Sequence, residues 1–171
     1  MSEPRSARGP ALALALLYAV YAGVSAYALM HLPEIVATHY NAAGVSDRWT
    51  TRAAHVAMMA VVALLLPLGT VGLMFKIRSF PDSLYNIPRP DYWLRPANRP
   101  ALHAYFLRHG LWFACLAVAF VTVQLWLTVQ ANLTPGGRLP IAGTWGATAA
   151  FIGGTVGWIV SMLRHLRRGG T

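Results

Sequence analysis

The chain has 171 residues, of which 56% are hydrophobic and only 11% are charged, against about 25% charged in an ordinary soluble domain. A mean hydropathy of +0.47 excludes a water-soluble globule, whose surface would expose too much apolar area. The single cysteine excludes a disulfide framework or a thiolate metal cage. The net charge of +9 does not indicate nucleic-acid binding, because the basic residues lie between long apolar runs and not on one face.

Four apolar runs are long enough to cross a membrane as helices, which takes about 20 residues each. They cover residues 11–30, 53–75, 110–131 and 141–163. Such continuous apolar character does not fit the alternating pattern of a transmembrane β-barrel. We therefore predict an all-α membrane protein, a single four-helix transmembrane bundle over residues 1–171, with loops at 31–52, 76–109 and 132–140.

The first run also has features of a secretory signal. Arg5 and Arg8 precede it, and Ala26-Tyr27-Ala28 near its end resembles a cleavage site. However, the run exceeds the usual apolar region of about 7–15 residues. We expect this helix to be retained.

The basic residues predict the orientation, because Lys and Arg favour cytoplasmic loops. Of the 14, only Arg48, Arg52 and Arg138 lie in the loops at 31–52 and 132–140. We therefore expect both termini in the cytoplasm, with these two loops outside and the loop at 76–109 inside. Basic residues on the inner face attract anionic lipids by about 1 kcal/mol each, so bound membrane lipid is the one ligand expected.

The first outer loop has the composition of a turn between two helices. Asn41 to Gly44 has turn chemistry, with Gly44 free to take a positive φ. Ser46 or Asp47 is expected to cap the second helix by accepting its free amide hydrogens. Trp49 suits the boundary between lipid headgroups and water.

The inner loop is rich in proline and aromatic residues from Asn86 to Pro96. This composition predicts an extended segment on the membrane interface, with Asp91 paired to a neighbouring basic residue. After Pro100, the apolar pattern predicts a short interfacial helix that continues into the third span. It is carried by Leu102, Tyr105, Phe106 and His109. An amphipathic anchor is the simpler interpretation, and a docking surface for a partner is the alternative.

Two strings in these loops resemble a bacterial membrane domain of unknown function. That domain forms the N-terminal part of the sporulation-delaying-toxin immunity (SdpI-like) proteins. The outer loop carries His39, Asn41, Gly44, Asp47 and Trp49, with Ala37 and Tyr40 as departures from the family's usual Pro and Phe or Trp. The inner loop carries Asn86, Pro88, Asp91, Tyr92, Trp93 and Pro96, with Pro90 in place of a common Lys.

The resemblance covers about residues 11–130. It implies a bacterial cytoplasmic (inner) membrane protein in which those eleven residues are candidates for partner or ligand binding. The immunity proteins carry further spans, and they act in toxin resistance and in signalling through sequestration of a transcriptional repressor.

The polar residues of the outer loop admit three interpretations. His39, Asn41 and Asp47 either bond one another to fix the loop, or they form a ligand or partner surface. In the third interpretation, His39 and Asp47 bind a metal such as zinc, which accepts His and carboxylate ligands, or act as an acid/base pair. No tight His-x-x-x-His spacing is present. We therefore favour the structural role and predict no cofactor and no catalytic residue.

Within the spans the residue types indicate packing rather than transport. No Asp, Glu, Lys or Arg lies in the middle of any span, so an ion or proton path lacks its usual groups. Gly153 and Gly157 are spaced four residues apart in the fourth span, which lets helix backbones approach closely. The approaching helix belongs either to this bundle or to another subunit.

These features together predict a non-catalytic accessory or sensing subunit. Its outer loop and helix faces are expected to bind another membrane protein or a second copy of the chain, and not nucleic acid. One alternative is a toxin-immunity or regulatory protein like the longer relatives. Another is a small metal-assisted membrane hydrolase that uses His39 and Asp47.

Overall fold

The computed structural model describes residues 6–169, and most of them are helical. The elements are α1 (Arg8–His31), β1 (Ile35–Tyr40), β2 (Ser46–Thr51), α2 (Arg52–Lys76), α3 (Pro90–Trp93), α4 (Arg99–Leu133) and α5 (Ile141–Arg168). Single 3₁₀ turns lie at Ile77–Ser79 and Asp82–Leu84. The helices α1, α2, α4 and α5 are each long and apolar enough to cross a membrane, which confirms the four predicted spans.

The helix α4 is the centre of the bundle. Half of its most apolar stretch is buried, whereas none of the corresponding stretch of α5 is. The helices α1, α2 and α5 each pack mainly on α4, and α1 and α2 touch each other little. One main core cluster includes Tyr21, Val56, Ala63, Val118, Val121, Leu125 and Val129. Helix α2 packs tightly on α4 at Gly110, where an added Cβ would lie 2.7 Å from Met74 Cγ.

The third span begins earlier than predicted. The helix α4 starts at Arg99 and runs without interruption for 35 residues, or about 52 Å at 1.5 Å per residue. Pro100 does not break it, because proline is tolerated in the first turn of a helix. The helix predicted after Pro100 is therefore present, as the first turns of α4, and it continues into the third span. Its residues Leu102, Tyr105, Phe106 and His109 are buried.

The loop between α1 and α2 forms an antiparallel β-hairpin, so the all-α expectation needs correction. We call residues 35–51 the hairpin. At its turn, Asn41 Oδ1 accepts hydrogen bonds from the amides of Ala43 and Val45, at 2.9 and 3.1 Å. Gly44 has a φ of 72°, as its turn position predicts. Helix α2 is capped by Thr51, whose Oγ1 accepts from the Ala54 amide at 3.2 Å, and not by Ser46 or Asp47, which lie in β2.

The loop between α2 and α4 folds back onto α5 and does not lie extended. We call residues 77–98 the cap. The indole of Trp93 is buried and donates a hydrogen bond to the Leu166 carbonyl at 2.8 Å. Trp93 and Leu166 belong to a second core cluster with Tyr85, Leu102, Tyr105 and Phe106. The expectation of an extended interfacial segment is therefore wrong, because its aromatic side chains have partners within the protein.

Ion pairing in the cap also differs from the prediction. Asp91 was expected to pair with a basic neighbour, but within residues 6–169 the cap's ion pair joins Asp82 and Arg99. Arg89 has a left-handed φ of 56°, and its guanidinium donates to the carbonyl of Gly169. The end of α5 is therefore held by the cap at more than one point.

Candidate functional site

One amide side chain attaches the hairpin to the bundle. Asn132, in the last turn of α4, accepts a hydrogen bond from the Ala37 amide at 2.8 Å through Oδ1. Its Nδ2 donates to the Ala37 carbonyl at 3.0 Å and to the Tyr40 hydroxyl at 3.2 Å. The side-chain amide thus bonds both backbone groups of Ala37 as a neighbouring strand would. The β1 edge of the hairpin is satisfied at this point.

The Tyr40 phenol belongs to the same attachment. Its hydroxyl donates to the Ala37 carbonyl at 3.2 Å. Burial raises the pKa of Tyr40 above its usual value, and the hydrogen bond from Asn132 offsets this rise in part. The phenol therefore keeps its proton at neutral pH and remains a donor.

Further contacts fix the two ends of the hairpin. At the turn, the Gly44 carbonyl accepts from the Leu139 amide at 3.1 Å, and an added Cβ on Gly44 would lie 3.0 Å from Ile141 Cγ1. At the base, Arg52 Nη1 donates to the Leu32 carbonyl, the last acceptor of α1, at 2.6 Å. The hairpin region is therefore bound to the end of α1 and to the segment that joins α4 and α5.

His39 and Asp47 meet across the hairpin. His39 Nδ1 lies 2.5 Å from Asp47 Oδ1, and the two side chains are 60% and 46% exposed. The strand register shifts twice around them, since Ala37 faces Trp49 but His39 faces Arg48. Such bulges change the direction of side chains. The result is a solvent-exposed His–Asp pair.

A metal site is not formed by this pair alone. Structural zinc takes four protein ligands, and catalytic zinc takes three. Among residues 6–169 no group of three His, Cys, Asp or Glu side chains is placed to hold a metal ion. His39 and Asp47 together supply two ligands.

The five hairpin candidates have two different roles in the structure. Asn41 and Gly44 build the turn, while His39, Asp47 and Trp49 are exposed. Trp49 is 58% exposed, and Ile35 and Val45 are further exposed apolar residues of the hairpin. The hairpin thus combines a fixed backbone with an accessible apolar and polar surface.

The second predicted string lies at the opposite end of the bundle. The hairpin contacts the C-terminal turn of α4, whereas the cap packs on its N-terminal turns. The structure therefore does not bring the two strings together. Within the cap, Trp93 is buried, Tyr92 is half-buried and Asp91 is exposed, as is Pro96. Asn86 is exposed and Pro88 is half-buried.

The two glycines singled out in α5 lie on an open face. An added Cβ on Gly153 or Gly157 would meet nothing within 4 Å. The glycines that pack on α4 are Gly143, against Leu127, and Gly154, against Leu116. Within residues 6–169, Gly153 and Gly157 therefore do not provide a close approach between helices.

Asn132 was missed by the sequence reasoning. A single amide at the end of an apolar run is an ordinary helix-terminal residue in sequence, and its partner Ala37 is 95 positions away. No local spacing marks such a contact.

A family model covers the hairpin. Residues 14–64 match a domain of unknown function, DUF1648. The DUF1648 match spans most of α1, the whole hairpin and about half of α2, and it stops before the cap, α4 and α5. No curated protein and no solved structure matches the chain.

Proposed function

We propose that this chain is a non-catalytic, multi-pass membrane protein that acts as an accessory or sensing subunit and binds its partner through the hairpin. One observation carries the proposal. The hairpin is fixed to the bundle through Asn132, yet Ile35, Val45 and Trp49 remain exposed. A platform that is already ordered loses little conformational entropy on binding, and tryptophan is enriched at the energetic centres of protein interfaces.

Copurification tests this function. The tagged full chain is purified from native membranes in mild detergent, and bound proteins are quantified by mass spectrometry. We expect a membrane protein at fixed stoichiometry, lost in Trp49→Ala. The matched control is Trp112→Ala, since Trp112 is also an exposed tryptophan but lies in α4.

Two results would contradict the proposal. If the chain purifies alone, it is not an accessory subunit. If Trp49→Ala retains the partner as well as Trp112→Ala does, the hairpin is not the binding surface, and Trp49 serves only as a residue of the membrane interface.

An immunity or regulatory role is the second candidate. The hairpin string is the part that resembles the toxin-immunity family, and the DUF1648 match includes it. An immunity protein protects cells from a toxin without a partner subunit. Toxin survival that depends on the chain, and that is lost on changing the hairpin, would favour this candidate.

We also propose that the termini lie in the cytoplasm of a bacterial inner membrane. Arg48, Arg52 and Arg138 are at or beside the hairpin end of the bundle, whereas the other described basic residues lie toward the cap end. Arg5, which contributes to the same asymmetry, is outside the described residues. Labelling with a membrane-impermeant maleimide tests this, because the native Cys115 is buried. Ala42→Cys should react from outside and Ser83→Cys only after the membrane is opened.

A further inference from the structure

An open pocket lies between the cap and the first turns of α4. Its volume is about 560 Å³. It is lined by Asp82, Leu94, Pro96, Arg99, Pro100 and His103. The pocket therefore combines a carboxylate, a guanidinium and an imidazole inside a rim of apolar and proline side chains.

The charged pair of this pocket is held in place but accessible. Arg99 Nη2 donates to Asp82 Oδ1 at 2.6 Å and to the Leu94 carbonyl at 3.2 Å. The side chains of Asp82 and Arg99 are 58% and 33% exposed. Because both bonds use one nitrogen, they orient the planar guanidinium without engaging its other N–H groups, which suit an oxyanion.

The imidazole of His103 is oriented by a tyrosine. The Tyr85 hydroxyl donates its single proton to the Ile77 carbonyl at 2.5 Å, and its oxygen lies 3.1 Å from His103 Nε2. Burial raises the pKa of Tyr85, partly countered by Arg99, so the phenol remains protonated at neutral pH. His103 Nε2 must then be the donor to Tyr85, which leaves Nδ1 of the neutral ring as a hydrogen-bond acceptor.

One side of the pocket lies next to the apolar end of α2. The apolar run of α2 ends at Phe75 and is followed by Lys76 and Arg78. The next carbonyl after Lys76, that of Ile77, is the one connected to His103 through Tyr85. The His103 side of the pocket therefore begins within about one helical turn of the apolar end of α2. Arg99 lies farther out, because it is the first residue of α4 and precedes the apolar run that begins at Gly110 by eleven residues.

We propose that this pocket binds an amine-bearing phosphodiester, the headgroup of an aminophospholipid such as phosphatidylethanolamine. The phosphate contacts Arg99, and the ammonium donates to Asp82 and His103. A simple anion would be repelled by Asp82 and a simple cation by Arg99, whereas a neutral zwitterion matches both charges. Choline lacks N–H donors, so the pocket discriminates between ethanolamine and choline headgroups.

Native mass spectrometry of the full chain in detergent micelles tests the assignment. Phosphatidylethanolamine, phosphatidylcholine and phosphatidylglycerol with the same acyl chains are added in turn. We expect one ethanolamine lipid bound in preference to the other two. Asp82→Asn should weaken that binding by about tenfold, the loss expected for one charge-assisted hydrogen bond. Glu34→Gln, at an exposed carboxylate outside the pocket, should leave it unchanged.

A second variant keeps the test valid if Asp82→Asn disturbs the cap. Arg99→Gln should weaken ethanolamine and choline lipids alike, because it removes the contact to the phosphate that they share. Equal binding of ethanolamine and choline lipids by the unmodified chain would overturn the proposal. So would an unchanged ethanolamine preference in a folded Asp82→Asn protein.

One further experiment distinguishes a lipid headgroup from a water-soluble amine phosphodiester. Glycerophosphoethanolamine, which has the same headgroup without acyl chains, is added to the delipidated protein. Weaker binding than that of the intact lipid supports the lipid assignment. Equal binding would overturn it in favour of a water-soluble amine phosphodiester.

Discussion

Replacing Asn132 with alanine should release the hairpin from the bundle. The substitution removes three hydrogen bonds to the hairpin, which join Asn132 to the Ala37 amide, the Ala37 carbonyl and the Tyr40 hydroxyl. Ala37 is buried, so its amide is left without the partner that now satisfies it. The Ala37 carbonyl keeps its bond from the Tyr40 hydroxyl.

The size of this effect follows from the bonds that are lost. Each hydrogen bond contributes about 1 kcal/mol net, and a buried amide left without a partner costs about 1–3 kcal/mol. Docking of the hairpin should therefore weaken by about 2–4 kcal/mol. The population of undocked hairpin then rises by a factor of about 30 to several hundred.

Hydrogen–deuterium exchange measures this population. A two-stranded hairpin is marginally stable on its own in water, so undocking should also melt the strands. Backbone amides of residues 35–51 should exchange faster in Asn132→Ala by the factor given above, when exchange follows local opening. The cap should keep its protection, because α4 carries the two regions at opposite ends.

Asn98→Ala is the matched control. Asn98 Nδ2 donates to the Tyr92 carbonyl at 2.8 Å within the cap, so the same chemical change should loosen the cap and spare the hairpin. If exchange in residues 35–51 changes by less than about threefold in Asn132→Ala, then Asn132 does not hold the hairpin, and the reasoning from its bonds is refuted.

Three further substitutions test the packing of α2 on α4 and the exposed pair of His39 and Asp47. Gly110→Ala should lower stability by about 1–3 kcal/mol through overpacking, since its Cβ would lie 2.7 Å from Met74 Cγ. Gly146→Ala has open space around it and should be neutral or stabilising through helix propensity. Equal thermal unfolding of these two variants in detergent would contradict the close approach of α2 and α4. His39→Gln should change the free energy of unfolding by less than about 1 kcal/mol, because its pair with Asp47 is exposed, and a larger loss in chemical unfolding would show a structural role.

The four long helices were predictable because membrane spans are encoded locally. Each helix that crosses the hydrocarbon must be apolar along about 20 residues and must satisfy its own backbone hydrogen bonds. Hydropathy alone therefore locates it. Helix ends outside the hydrocarbon are different. The first eleven residues of α4, from Arg99 to His109, are helical beyond the apolar run, as their local pattern predicted. The partners of Leu102, Tyr105 and Phe106 lie in the cap and α5, and no local pattern records them.

The hairpin was not predictable from its own residues. The sequence of β2, from Ser46 to Thr51, is polar. It lacks the alternation of apolar and polar positions that usually indicates a strand. What stabilises the hairpin is distant in sequence, namely Asn132 and Leu139. The turn at Gly44 was predictable, because its positive φ is a local requirement.

The cap shows the same limit for an aromatic residue. A tryptophan beside prolines near a membrane span is typical of the headgroup boundary, and Trp93 has that sequence context. Its actual partner, the Leu166 carbonyl, is 73 residues away. An indole has a polar N–H and an apolar ring, so it suits both the headgroup boundary and a buried position beside a carbonyl. Only the fold distinguishes these two positions.

The central position of α4 bears on what kind of unit the DUF1648 match describes. The matched residues 14–64 include α1 and much of α2, which barely touch each other and pack instead on α4. During synthesis, α1 and α2 are therefore made before α4, the helix on which both of them pack. The hairpin between them attaches to the bundle only once Asn132 of α4 is present. A stretch of sequence that is recognised as one domain is thus not an independent folding unit in this chain. Its structure is completed by a helix that lies entirely outside the match.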